Sequence, residues 1–284
     1  MSSGSISVIM VSYYTGPILL DALKAAASDP EIAEIILVDN GNPASDRLTL
    51  CETALELGKV RILQGHGNVG FARACNYGAA LATGDMLLFL NPDAVIKRGA
   101  ARRLAEAGGG QAIPSIMGGL IVDENGQELR GSRRGRLTIL SLITTFLPLV
   151  PSKFDRSKEL LPSDPTPMPT VSGAFLMMDR ASFELVGGFD GAYFLHVEDI
   201  ALCREARRLD GSVIFVPDAR ARHKGATSKA STWTVERHKL RGFLRYFWTA
   251  GPGLGSKLTT ILIAPLLATA IAGRACVKSL ISAR

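Results

Sequence analysis

The sequence predicts an α/β fold built around a mostly parallel sheet, and three observations predict it. Through the first hundred residues, apolar runs of strand length alternate with helical spacings, the pattern of repeated βαβ units. Those strand runs are apolar throughout rather than at alternate positions, as strands covered on both faces are. Each run then stops at a polar or glycine-rich stretch.

In order, Ile6 to Ser12 (ISVIMVS) reads as a buried strand, and Pro17 stands where a first-turn proline opens a helix over Ile18 to Ala27. Glu34 to Asp39 is the second strand, ending in the turn NGNP, and Ser45 to Leu57 is a helix stopped by Gly58. Val60 to Leu63 is the third strand, Val69 to Ala82 a helix closed by Gly84, and Met86 to Leu90 the fourth strand, followed by NPDA. The second half begins with a helix over Arg98 to Ala107 and a strand over Ile113 to Val122. An uncharged run, Leu137 to Val150, suits a core helix by its length, or a lipid contact. Pro148, Pro151, Pro162, Pro165, Pro167 and Pro169 then predict an extended, mobile connection. VSGAFLMM resumes a strand, RASFELVGGFD is a short helix ending in glycines, and HVEDIALCREARRLDG is an amphipathic helix opening with two acids. VIFVPDARARHKG is a last strand and its exit loop. No internal repeat is present.

In open parallel sheets, ligands bind beyond the carboxyl ends of the strands. Those ends read Ser12-Tyr13, Asp39-Asn40, Gly65 to Gly70 and Asn91-Pro92-Asp93, which makes that edge the site. Gly65 to Gly70 (GHGNVG) matches the G-x-G-x-x-G fingerprint of dinucleotide-binding loops. It follows the third strand rather than the first, however. The acid at the correct sheet edge, Asp93, lies in a tight Asn-Pro-Asp turn. Asp85 precedes its strand, about 16 Å from that edge at ~3.3 Å per residue, and reads as structural. A dinucleotide enzyme is therefore disfavoured.

The chain has 284 residues, 47% of them hydrophobic and 20% charged, and can bury a large core. Its four cysteines are far apart, which argues against a disulfide framework or zinc knuckle and suits a reducing cytosol; Cys75 and Cys203 read as inert helix cysteines. The opening MSSGSISVIMVSYY carries no basic region and predicts no signal peptide. From Arg222 to Lys257 there are eight Lys or Arg against one acid, Glu236, and then the uncharged run Leu258 to Ala272. That run is shorter than the ~20 residues of a spanning helix. With Phe243, Tyr246, Phe247 and Trp248 before it, the segment suits an anionic membrane surface. A helix packed on the core is the plainer alternative. A nucleic-acid partner is disfavoured by the adjoining apolar run.

VSYY, VDNGNP, GNVGFARACNYGAALATGDMLLFLNPDA and SGAFLMMDRASFELVGGFDGAYFLHVEDIALCREARRLDGSVIFVPDARARHKG together resemble the inverting glycosyltransferases of family 2, in the rhamnosyltransferase-like branch. The resemblance spans roughly Ile6 to Ser228. It implies a GT-A fold: a Rossmann-like nucleotide-sugar half over 1–97 and an acceptor and catalytic half over 98–228 with the mobile 130–170 insertion; the basic and apolar composition beyond it makes 229–284 a helical membrane-associating segment. It also implies Mg2+ or Mn2+, a nucleotide-diphosphate sugar (dTDP-rhamnose by branch), a lipid-linked or cell-surface saccharide acceptor, and residence on the cytoplasmic face of the membrane.

The same resemblance assigns residues. Asp93 matches the last Asp of the family's D-x-D, with Asn91 as a neutral donor in the first position and His223 as a further metal ligand. Helix or turn capping for Asp93 and a surface role for His223 stand as alternatives. Asp199 matches the general base of the Glu-Asp pair and Glu198 positions it; both also suit a helix start. Asp39 faces the base, with a plain turn residue before GNP as its alternative, Ser12 and Tyr13 face the base or ribose, and Asn68, Gly70 and Asn76 belong to the loop-helix whose glycines let the backbone approach the nucleotide. Gly173 and Ala174 line the sugar and acceptor pocket. Two rivals remain: a sugar-nucleotide nucleotidyltransferase, which calls for a glycine- and arginine-rich loop where this chain has VSYYTG, and a catalytically silent nucleotide-binding or membrane scaffold.

Overall fold

The computed structural model describes residues 4–146, 154–223, 231–251 and 253–282. Strands β1 (Ile6–Ser12), β2 (Ile32–Asp39), β3 (Val60–Leu63) and β4 (Met86–Leu90) run parallel in the order β3-β2-β1-β4. Helices α1 (Ile18–Ala27), α2 (Ala44–Leu57) and α3 (Phe71–Leu81) connect them. This half follows the expected alternation.

The second half extends the same sheet with mixed directions. β5 (Ala94–Ile96), α4 (Ala100–Gly108), β6 (Ser115–Val122) and the two-residue β7 (Arg133–Arg134) come first. Then follow α5 (Ile139–Phe146), β8 (Thr166–Pro167), β9 (Thr170–Val171), β10 (Phe175–Asp179), α6 (Arg180–Leu185), α7 (Glu198–Arg208) and β11 (Ser212–His223). β10 lies antiparallel between β4 and β6, β11 runs parallel to β6, and β5 closes the far edge antiparallel to β11. β7 and β9 form a separate antiparallel pair.

Because side chains alternate across a strand, the central strands feed two cores. Ile9, Val11, Ile36 and Val38 face α3 and α7 with Ala72, Cys75, Leu202 and Cys203. Val8, Met10, Ile35 and Leu37 face the other way, with Leu19 and Leu23 of α1 and Leu104 of α4. Both faces being covered explains why these strands carry no polar alternation.

Several boundaries differ from the sequence expectation. The strand read through VSGAFLMM is broken: β9 ends at Val171, β10 starts at Phe175, and Ser172-Gly173-Ala174 form a turn between them. α7 begins at Glu198 because His196 and Val197 both take left-handed conformations, at φ 66° and 72°. In the insertion, Arg133 donates to both Glu128 carboxylate oxygens and to the carbonyls of Glu159 and Leu160, and the Gly135 amide donates to Phe154 O. The described parts of 130–170 are thus held by fixed contacts; Pro148 and Pro151 lie outside the described residues. α5 is a core helix over its described length, with Leu142 buried and Leu140 72% exposed, while the end of the apolar run falls outside the described residues.

The C-terminal helix is longer than its uncharged run. After α8 (Thr232–Trp248), α9 (Leu254–Ser282) continues through Pro265, and the 23 residues Leu254–Cys276 contain an 18-residue window of mean hydropathy 1.6. At ~1.5 Å per residue that length can cross a bilayer, which corrects the expectation that the run is too short. Thr260, Leu267, Ile271 and Ala275 are buried, with Leu267 in the core cluster that α8 joins, and Arg274 lies 3.9 Å from the buried Glu236 of α8. Leu254, Leu258, Ile261, Leu262 and Leu266 remain exposed. One flank of α9 therefore packs on the protein and the other is an uncovered apolar stripe. The expected domain boundary at 228 lies outside the described residues.

Candidate active site

The sheet edge at the ends of β1 and β2 is organised by short polar side chains. Ser12 and Asp39 are register partners. Ser12 is fully buried, with its hydroxyl 3.0 Å from Thr15 Oγ1 and donating to Asn42 Oδ1. Its side chain therefore points into the edge and shapes it, towards Thr15 and Asn42. Asp39 Oδ1 accepts from the amides of Gly41 and Asn42 and from Asn42 Nδ2, an Asx-type closure of the NGNP turn. Tyr13 stands partly open beside this turn, edge-to-face with the exposed Tyr14 at 4.8 Å. The aromatic pair is suited to a planar base.

Asn40 and Asn68 lock the second strand to the glycine loop. Asn40 Nδ2 donates to Asn68 Oδ1, and Asn40 Oδ1 accepts from the Val69 amide. Gly65 and Gly67 have positive φ and open space around them. Gly70 does not: at φ 85°, a Cβ there would lie 2.6 Å from Phe194 O. The neighbouring Phe71 amide donates to that same carbonyl at 2.7 Å. Gly70 thus packs closely against the 190s segment, and Gly65 and Gly67 are the glycines of the loop with open space beside them. Asn76 also faces the 190s segment. Its amide donates to Phe189 O at 2.7 Å and accepts from Phe189 N at 2.9 Å, so both ends of the side chain clamp α3 to that segment.

At the end of β4, Asp93 Oδ1 sits 2.9 Å from His223 Nε2, and Asn91 Nδ2 is 3.3 Å from the same nitrogen. Both side chains are largely shielded, Asp93 at 8% and His223 at 17% exposure. β5 pairs His223 with Ala94, which is why residues 130 positions apart in sequence meet here. One carboxylate, one imidazole and one side-chain amide thus meet at the His223 ring nitrogen, a donor set whose chemistry suits a divalent cation with positions left for phosphate oxygens. The spacing brings together all three residues singled out as metal donors.

The acid pair divides. Asp199 accepts from Gly173 N at 2.9 Å and from Arg134 Nη2 at 2.5 Å through Oδ2, and from Ile200 N at 2.7 Å through Oδ1. Burial raises its pKa, but the Arg134 charge and these hydrogen bonds more than offset that and hold it below the ordinary carboxylate range. Glu198 is buried with Oε2 lacking a partner among the described residues. Burial and the neighbouring Asp199 charge push it up to about 8. Burial thus favours the proton on Glu198, and the Arg134 contact favours the charge on Asp199.

Gly173 and Ala174 join the two clusters. The Asn91 amide donates to Ala174 O, and the Gly173 amide donates to Asp199. A Cβ on Gly173 would stand 3.0 Å from Asp199 Cβ, so the turn packs directly on the carboxylate. Asp85 is structural as expected, accepting from Ser5 at the opposite edge. Burial raises the Cys75 and Cys203 thiols, Cys203 to about 11, which leaves both unreactive. Sequence reasoning put Asn40 at the site edge without a role and missed Phe194 and Arg134. Asn40 sits in the quoted NGNP turn, but RGSRRGR offered nothing to single out one arginine.

A profile of Glycosyl transferase family 2 matches residues 7–187, which includes Asn91, Asp93 and Gly173 and ends before Asp199 and His223. The chain is 27% identical over 239 residues to the N-acetylglucosaminyl-diphospho-decaprenol L-rhamnosyltransferase of Mycobacterium tuberculosis, covering 78% of this chain and 76% of that one. It is 26% identical over 242 residues to the rhamnosyltransferase WbbL of Escherichia coli, covering 81% and 89%. Among solved structures, GalNAc-T7 with UDP, GalNAc and Mn2+ superposes at a TM-score of 0.64 and 18% identity, over 87% of this chain and 49% of that one. This chain thus spans about half the length of that protein. The Pyrobaculum calidifontis mannosyltransferase PcManGT, in complex with GDP-Man and Mn2+, superposes at 0.61 and 14% identity, over 98% and 75%.

Proposed function

The chain belongs to glycosyl transferase family 2 and has the GT-A fold, and from that premise we propose that it transfers a sugar with inversion from a nucleotide diphosphate to a lipid-linked saccharide. dTDP-rhamnose as donor is supported by the rhamnosyltransferase relatives. An N-acetylglucosaminyl-diphospho-lipid as acceptor is supported by the name of the mycobacterial relative. The observation that carries the reading is the Gly173-Ala174 turn, which ties Asn91 beside Asp93 to Asp199 through two backbone hydrogen bonds.

In this reading Asp199 accepts the proton of the acceptor hydroxyl. The freed oxygen attacks the anomeric carbon from the side opposite the diphosphate, and the bond to the diphosphate breaks with its electron pair leaving on phosphate. One displacement with no enzyme nucleophile inverts the centre. Asp93, His223 and Asn91 would hold a divalent cation, Mg2+ or Mn2+, whose charge stabilises the departing diphosphate. The closed turn at Asp39 and the Tyr13–Tyr14 pair form the nucleotide wall, with Asn68 ordering the loop beside it. Gly173 and Ala174 separate the diphosphate from the base.

We assign 1–97 to the nucleotide half, 98–228 to the acceptor half, and the remainder to membrane contact. The apolar stripe of α9 is flanked by Trp248, with Lys257 5.6 Å from its ring, and by the basic α8, a combination suited to an anionic bilayer on the cytoplasmic side.

The test is a pair of measurements on purified full-length protein. Thermal stabilisation by UDP, dTDP and GDP, each with and without Mn2+, should single out one nucleotide and depend on the metal. Asp199→Asn should keep that stabilisation while losing about 10²–10⁴-fold in transfer from dTDP-rhamnose to an N-acetylglucosaminyl-diphospho-lipid. Transfer at the wild-type rate would remove Asp199 as base.

A further inference from the structure

The short β7–β9 pair delivers Arg134 to the acid pair from outside the sheet that carries the rest of the site. Its Nη2 donates both to Asp199 Oδ2, at 2.5 Å, and to Val171 O, at 3.1 Å. The guanidinium carbon lies 5.9 Å from the Phe154 ring centroid, and the two charged side chains are only 13% and 11% exposed. This is a shielded, oriented pair rather than a surface one.

We propose that Arg134 is a positioning residue for the transfer step: with the amides of Gly173 and Ile200 it fills three of the roughly four acceptor directions of the Asp199 carboxylate, leaving one, on Oδ1, for the incoming hydroxyl. The proposal rests on the reading of Asp199 as the base.

The charges facing Asp199 give Arg134 a second consequence. Glu198 precedes it on α7, Cys203 lies one turn on, His196 lies just before the helix, and Arg134 comes from β7. Burial, more than any charge, drives His196 down to about 3, so it stays neutral, and the Cys203 thiol is neutral as well. Lys239 and Glu236 of α8 act on His196 and Arg207 acts on Cys203, whereas among the described residues Arg134 is the cation in direct contact with Asp199, where it favours the charge over Glu198. Without it, two buried acids would compete for one proton, and the base would spend part of its time protonated. The sign follows: Arg134 lowers the Asp199 pKa, so its removal raises that pKa, and activity that needs ionised Asp199 fails at higher pH than in the wild type.

The experiment is the pH profile of kcat/KM for Arg134→Gln and Arg134→Lys, with dTDP-rhamnose and an N-acetylglucosaminyl-diphospho-lipid. Alongside it runs a carboxyl 13C titration of Asp199, assigned by its absence in Asp199→Asn. The acidic limb and the Asp199 titration should both move up by about one pH unit or more in Arg134→Gln, where each unit is a tenfold change in the ionised fraction. Arg134→Lys should move them less, since an ammonium keeps the charge but not the planar fork. A uniform loss of rate at every pH, with limb and titration unmoved, would overturn the proposal. If Arg134→Gln does not fold, Arg134→Lys carries the test, and profiles superimposable on wild type overturn it. Asp199→Asn separates the two levels. If it stays active the base assignment itself falls; if it is inactive while the Arg134 profiles stay put, only the role of Arg134 falls.

Discussion

At the scale of single residues, the site separates side chains that present chemistry from those that only hold the presenting backbone. Ser12 and Asn76 make contacts of the second kind, at positions where residue type also suits the first. A hydroxyl or amide at a sheet edge is as useful for closing a turn as for meeting a ligand, and only its partners tell the two apart. Asn76 gives the cleaner test because both of its polar atoms go to Phe189. Asn76→Ala should destabilise the fold by about 1–3 kcal/mol through the two lost bonds, seen as a lower Tm. The KM for the nucleotide sugar should stay unchanged, and a large rise in KM at wild-type Tm would return Asn76 to the nucleotide.

At the scale of elements, β1 to β4 and their helices are legible in the sequence because burial on both faces writes a continuous apolar run. The metal-donor assignment comes instead from the family resemblance of NPDA and ARHKG; the apolar pattern gives only the place of NPDA, directly after β4. The break between β9 and β10 was not legible. VSGAFLMM contains no proline or charge to interrupt a strand, and the turn forms because Gly173 closes on Asp199 from a different element. The start of α7 was hidden likewise, since no pattern announces left-handed His196 and Val197. Such conformations in non-glycine residues cost energy and persist only where surrounding contacts impose them. Here the Phe194 ring just before them stacks on His238 of α8 at 4.4 Å, and Arg245 of α8 pairs with Asp190. Arg134 depended on the small β7–β9 pair, two residues per strand, which is below what periodicity can reveal.

At the scale of the whole molecule, the α8–α9 hairpin packs against the segment that leads into the acid pair, so the proposed membrane-facing stripe and the catalytic carboxylates share one scaffold. Truncation after Gly251 should release the protein from vesicles containing anionic lipid while leaving nucleotide-dependent thermal stabilisation in place. Continued vesicle binding by the truncated chain would remove α9 as the contact. Fold, site and chemistry all depend on Asp93 and Asp199 addressing the same sugar from two sides. The most direct measurement is a crystal structure of the full chain with Mn2+ and an unreactive analogue of the nucleotide sugar that stabilises it. The account predicts the diphosphate beside Asp93 and His223, with the anomeric carbon facing Asp199 across the width of one hydroxyl. A sugar turned away from Asp199, or a diphosphate bound apart from Asp93, would contradict it.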